Sequence, residues 1–286
     1  MREYKTIDMH MHSTVSDGTD TPEEILERVK EAGIEIFSLT DHDAVSGCAL
    51  LKKVLKENDP VFVTGAEFSC RDDKGRYHIL GYGYDPVAEA ITELVNKGHR
   101  LRMRKVRKRL ELLESDYGFS FTEKEIKELY SNKNPGKPHI ANLMVKHGFA
   151  GTKEEAFSKY LNRLRVRLGF LDPGEVISAI IGAGGIPVLA HPVYGDGDQL
   201  ILGEDMDLRL KHLTGYGLMG VEAFYSGFTG RMTRWMLEYA DKYDLLVSAG
   251  SDYHGKNKLI ELGDTGMEPG QEYHERLWRF IEKVSG

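Results

Sequence analysis

Seven apolar, β-rich runs recur along this chain, and most stop abruptly at a residue able to bind a metal ion or polarise a phosphate. The first, Thr6-Ile7-Asp8-Met9, leads into His10-Met11-His12-Ser13. Then come Ile34 to Leu39 before Thr40-Asp41-His42-Asp43, Val61 to Ala66 before Glu67, and Tyr77-His78-Ile79-Leu80-Gly81-Tyr82. The second half adds Ile186 to Ala190 before His191, Met219 to Val221 before Glu222, and Leu245 to Ser251 before Asp252-Tyr253-His254. Between most of them lie stretches with helical periodicity and start signals, such as Thr21-Pro22-Glu23-Glu24 ahead of Ile25, Leu26 and Val29. Strand and helix in alternation argue for a parallel sheet wrapped by helices. Polar chemistry gathered at the strand C-terminal ends argues for an α/β barrel with its active face there.

His10 and His12 project from one face of a strand, because strand side chains repeat every second residue, so their imidazoles can converge on one ion. The spacing alone also fits a solvated strand face, and the later strand ends decide between the two. Cys48 and Cys70 are too few for a disulfide framework and lie in no zinc-finger spacing. No apolar stretch reaches the length of a membrane span and the charged N-terminus enters a strand directly, so a cytoplasmic location without membrane attachment is expected.

Charge is segregated. Residues 96 to 170 hold 18 Lys/Arg against 8 Asp/Glu, a balance of +10, while the rest of the chain carries −17. This segment contains no convincing strand and interrupts the strand and helix rhythm, so it reads as a helical insertion domain over residues 96–169, with the barrel in 1–95 and 170–286. Its helix from His99 to Leu113 aligns Met103, Val106, Leu110 and Leu113 in one apolar stripe, and seven basic residues between Arg100 and Arg109 fill the other faces. Those cations are either a solvated surface or a positive cap over an anionic substrate. Lys137 and His139 follow a Gly/Pro turn just ahead of a helix N-terminus, a place that favours phosphate. Arg163, Arg165 and Arg167 form a second basic cluster, and Gly98, Gly118 and Gly136 are candidate hinges.

The ordered set His10-x-His12, Asp17, Thr40-Asp41-His42-Asp43, Glu67, His78, Ala190-His191-Pro192 and Gly250-Ser251-Asp252-x-His254 resembles the metal signature of the PHP (polymerase and histidinol phosphatase) family. The insertion, with Gly136-Lys137-Pro138-His139 and later Tyr160-Leu161-Asn162-Arg163, is similar to nucleotide-directed members that include 3′,5′-nucleoside bisphosphate phosphatases and RNA 5′-exonucleases. In that subgroup an arginine usually stands where this chain has Lys137, and a Gly-Arg-Gly-Lys-like run stands near Asn162-Arg163-Leu164-Arg165.

The resemblance implies a distorted (β/α)7 barrel with three divalent ions, Mn, Fe or Zn. The first would take His10, His12, Glu67 and Asp252, the second Glu67, His78 and His191, the third Asp17, His42 and His254. Glu67, His191 and Asp252 would be central to catalysis by metal-activated hydroxide on a phosphate monoester of a small nucleotide, AMP or a 3′,5′-bisphosphonucleoside. Lys137, His139 and Arg163 would hold a distal phosphate or ribose. Glu222, Tyr225 and Ser226 are candidate contacts on the substrate side, and Asp41 and Asp43 orient ligands. Competing readings are a histidinol-phosphate phosphatase, an exonuclease acting on a short oligonucleotide, and a structural PHP domain, which would have lost ligands.

Overall fold

The computed structural model describes residues 4–132, 134–166, 168–195, 199–268 and 270–285. Seven strands lie in chain order around a nearly closed barrel: β1 (Ile7–Asp8), β2 (Ile36–Leu39), β3 (Val61–Arg71), β4 (Arg76–Tyr82), β5 (Ile186–Leu189), β6 (Gly220–Tyr225) and β7 (Leu246–Gly250). The ends meet where Met9 N–H donates to the Ala249 carbonyl at 2.9 Å and Met11 bridges Tyr253 in parallel. Strands β2, β5 and β7 are buried throughout, as both faces must be when side chains fill the barrel and helices cover it.

The all-parallel expectation fails at β4, which runs antiparallel to both β3 and β5. Only Asp72, Asp73, Lys74 and Gly75 separate it from β3, too little chain for the crossover that parallel strands need. The barrel is thus distorted as expected, with Glu67 and His78 on the two strands of one hairpin.

Helix α1 (Pro22–Glu31) starts where the sequence signals it: Thr21 Oγ1 accepts from Glu24 N–H, and Glu24 Oε2 accepts from Thr21 N–H. Helix α2 (Ser46–Val54) follows β2. Helix α3 (Glu89–Tyr117) begins ten residues before the expected His99, because Gly98 is tolerated inside it, where a Cβ would press on Asp43. Gly98 is therefore a point of close packing within a helix. Gly118 caps that helix in the left-handed region at φ 69°.

Helices α4 (Glu123–Ser131), α5 (Lys137–Lys146) and α6 (Lys153–Glu155), which runs into a π-helical turn over Ala156–Leu161, complete the insertion. Its core, including Val106, Leu113, Ile140, Met144 and Leu161, is separate from the barrel core, whereas Ile91 and Leu94 at the start of α3 pack into the barrel. Val106, Leu110 and Leu113 are buried as their stripe implied, and Met103 is half-buried. Helices α7 (Pro173–Gly182), α8 (Gly203–Gly215), α9 (Gly230–Lys242) and α10 (Glu275–Ser285) cover the second half. Among the described residues no helix is long and apolar enough to cross a membrane.

Candidate metal centre and its cavity

The strand ends bring together all nine residues expected to hold metal. His10 Nε2 and His12 Nε2 lie 3.2 Å apart, so the alternation of the strand does aim both imidazoles at one point. Glu67 Oε2 lies 3.4 Å from the first and 3.2 Å from the second, and Asp252 Oδ1 at 3.5 and 3.3 Å. The ligands of a tetrahedral ion bound at about 2.0–2.1 Å stand about 3.3 Å apart, and the separations among His10, His12 and Glu67 are of that size, so these three could hold a cation. Glu67 Oε1 reaches His78 Nδ1 at 2.7 Å and His191 Nε2 at 3.0 Å. Asp17 Oδ1 approaches His254 Nε2 at 3.3 Å, and Asp17 Oδ2 approaches His42 Nε2 at 3.9 Å.

His42 turns its other nitrogen to Glu67 Oε2 at 3.0 Å, the oxygen that faces His10 and His12, so it links the third expected set to the first. Asp17 Oδ1, His42 Nδ1 and His78 Nδ1 are buried without a well-aligned hydrogen bond although carboxylates and imidazoles crowd them. Converging lone pairs of this kind call for a shared cation.

The electrostatics agree. Burial alone would raise Glu67, yet His42, His78 and His10 hold it well below the usual carboxylate range. Burial would lower His10, but Glu222, Glu67 and Asp252 lift it well above the usual imidazole value. Burial pushes His78 down to about 3, which leaves it neutral and able to ligate.

Behind the ligands lies a layer of positioning groups. Glu222, wholly buried, accepts from His10 Nδ1 at 2.9 Å and from the His191 backbone N–H at 2.7 Å. This corrects its expected role: it orients two ligands and does not face substrate. The Tyr225 hydroxyl and Lys258 Nζ donate to Asp252 Oδ2 at 2.9 and 2.5 Å. Asp41 accepts from Ser13 N–H and from the Ser13 and Ser16 hydroxyls, and Asp43 accepts from Ser69 N–H and the Arg102 guanidinium. Both therefore orient their surroundings, as expected. His191 and Asp252 sit in the left-handed backbone region at φ 29° and 59°, rare for non-glycine residues and common where geometry is enforced. Gly250 is required there, since a Cβ would stand 2.2 Å from His10 Cβ.

Seven of the nine candidate ligands line a cavity of about 470 Å³, with His10 and His12 buried beneath it. The opposite wall comes from the insertion and adjoining loops: Arg102, Lys105 and Arg109 on α3, Lys137, Lys153, and Arg76 on β4. Arg102, Lys105 and Arg109 share one helix face, while Arg100, Arg104 and Arg107 point to solvent roughly half a turn away. The basic helix thus has one face toward the cavity and one toward solvent.

Of the four expected substrate contacts, Lys137 lines the cavity. His139 instead accepts from Gly136 N–H at 3.1 Å and caps the start of α5, and Arg163 is exposed, donating to the Ser158 carbonyl. The Ser226 hydroxyl donates to the Ser251 carbonyl at 2.7 Å, tying two loops together. None of these three belongs to the cavity lining. Arg167 lies outside the described residues.

Residues 8–166 match the model of the PHP domain. A 5′-3′ exoribonuclease of Haemophilus influenzae is 28% identical over 91% of this chain and 93% of its own. A phosphoribosyl 1,2-cyclic phosphate 1,2-diphosphodiesterase of Eggerthella lenta is 28% identical over 87% and 94%. A 3′,5′-nucleoside bisphosphate phosphatase of Chromobacterium violaceum is 27% identical over 96% of each chain. A protein of Bifidobacterium adolescentis described as a metal-dependent phosphoesterase superposes with a TM-score of 0.83 at 26% identity, over 99% of this chain and 98% of that one. The chain belongs to the PHP family. It is a phosphoesterase whose His/Asp/Glu clusters are able to hold metal.

Proposed function

We propose that this protein is a metal-dependent phosphatase that hydrolyses a phosphate monoester of a small nucleotide, AMP or a 3′,5′-bisphosphonucleoside. The observation that supports the reading is the two-sided cavity: seven of the nine candidate metal-binding side chains line its floor, and its roof presents cations. A volume of about 470 Å³ suits a small-molecule pocket. The outward direction of Arg100, Arg104 and Arg107 favours it over a long binding track for nucleic acid.

The assignment of ligands is the one the resemblance implied: His10, His12, Glu67 and Asp252 for one divalent ion, Glu67, His78 and His191 for a second, Asp17, His42 and His254 for a third. Nitrogen and oxygen donors without thiolate suit Mn, Fe or Zn. When bound, such ions polarise phosphoryl oxygens and lower the pKa of water.

The chain's own groups do the rest. Glu222 fixes the His10 ring and the His191 backbone, and Tyr225 and Lys258 keep the second oxygen of Asp252 occupied so that Oδ1 faces the centre. Lys137, held by Asn162 at 2.8 Å, and Arg102, held by Asp43, present positive charge to the phosphate as negative charge develops on its oxygens. The buried free thiols of Cys48 and Cys70 support the cytoplasmic placement.

Phosphate release from Mn-reconstituted protein, measured with AMP, adenosine 3′,5′-bisphosphate, histidinol phosphate and a 5′-phosphorylated oligonucleotide, tests this. The mononucleotides are expected to lead. Preference for the oligonucleotide, with affinity falling steeply as salt rises, would replace the phosphatase by an exonuclease. Preference for histidinol phosphate would remove the nucleotide.

A further inference from the structure

Lys105 is 7% exposed, lines the cavity and makes no hydrogen bond or ion pair among the described residues. Its Nζ stands 3.8 Å from the centroid of the Phe170 ring, and the same ring carries Arg71 and Arg76 at 5.2 and 5.6 Å. The acid facing Lys105 is Asp43, which Arg102 already engages through two nitrogens at 2.7 and 3.2 Å. One turn further along α3, Arg109 Nε is buried without a hydrogen-bond partner. Burial and the surrounding guanidinium groups push the Lys105 ammonium well below its usual value, so an anion entering the cavity beside it would restore both its charge and its pairing.

Position indicates what that anion belongs to. Arg102 Nη1 lies beside Gly136, near Asp17 of the metal-binding set, so the helix face starts at the centre. At 1.5 Å per residue, Arg102, Lys105 and Arg109 then lead away from it over about 10 Å. That distance is longer than one phosphate. We propose that Lys105 and Arg109, with Arg76 beside them, form a second phosphate subsite that selects substrates bearing another phosphate beyond the one at the strand ends. The proposal rests on the phosphoesterase reading above and deepens it. It uses positions on α3 and β4, in place of the expected His139 and Arg163, which do not line the cavity.

The test compares wild type with Lys105→Met, Arg109→Gln and Lys105→Arg, using AMP, adenosine 3′,5′-bisphosphate and a 5′-phosphorylated dinucleotide. Wild type is expected to prefer a two-phosphate substrate over AMP in kcat/KM. Lys105→Met and Arg109→Gln should each reduce that ratio by about tenfold, the worth of one charge-assisted hydrogen bond, and Lys105→Arg should retain it. Which two-phosphate substrate leads distinguishes a small bisphosphate from a strand end.

A second readout needs no turnover. In chelator-treated protein, adenosine 3′,5′-bisphosphate should raise Tm more than AMP does, and Lys105→Met should abolish the difference while raising the Tm of the ligand-free protein. If wild type turns over nothing but this binding difference is present, the subsite stands and the catalytic reading fails. Equal use of AMP and the bisphosphate with no difference in Tm, or an equal loss on all substrates in Lys105→Met, overturns the subsite.

Discussion

The strand-end wall of the cavity carries its charges in partnered sets, whereas the α3 wall carries cations that outnumber the acids beside them. At the strand ends His10 has Glu222 behind it and Asp252 has Tyr225 and Lys258. On α3, Arg102 has Asp43, but Lys105 has a ring and like charges. The first arrangement holds its shape and presents lone pairs to cations. The second holds charge in reserve for an anion. A phosphoester between them would meet both, and substitutions at the two walls should have different consequences.

The largest effect is expected at the strand ends. His191→Ala or Asp252→Ala should lower kcat by at least about a thousandfold and reduce bound metal measured by elemental analysis. Wild-type turnover in either variant would refute the ligand set. Glu222→Gln sharpens the claim that ligands depend on what stands behind them: a loss of about 10–100-fold in metal affinity or activity is expected. No change there would reduce Glu222 to packing.

Effects on the cap side should be smaller. Lys137→Ala is expected to raise KM by about tenfold with kcat much less affected, while Arg163→Ala should leave both within about twofold, since its side chain faces away from the cavity. A larger effect of Arg163→Ala would mean that the insertion moves when substrate binds.

The smallest effect concerns the insertion's own fold. Glu125 accepts from Lys146, Thr122 and His147, which hold its carboxyl well below the usual range. A depressed folded-state value contributes stability above the unfolded pKa of about 4.5 and loses it as pH falls through the folded value. Glu125→Gln should therefore lower Tm slightly at pH 7 and progressively less in acid. A deficit that grows as pH falls would contradict the assignment.

The metal-binding wall was legible in the sequence because strand geometry translates spacing into direction: His10 and His12 had to share a face. Six runs ending at His, Asp or Glu also had to share a barrel rim once the sheet closed. The antiparallel β4 was also written there, in the four residues between Arg71 and Arg76, but the repeating pattern of strand ends concealed it. Glu222 escaped because a buried carboxylate behind a ligand and one facing substrate have the same one-letter signature.

On α3 the cations occupied all the faces left by the apolar stripe, and only packing against Asp43 and Phe170 shows which three turn inward. His139 lies outside the cavity lining for a different reason. The Gly-Lys-Pro-His turn does introduce a helix, and the histidine is used up in starting it.

The reversed β4 bears on how the site comes into being. Glu67 and His78 meet across a hairpin, the kind of local pairing that a chain finds early, whereas His10 and Glu222 are 212 residues apart and meet only when the barrel closes. Part of the cluster can thus assemble while the N-terminal strand is still unplaced. His10, His12 and Asp252 come together only across the closure of the barrel, so if they hold an ion as proposed, high-affinity metal uptake during refolding would serve as a clock for that closure.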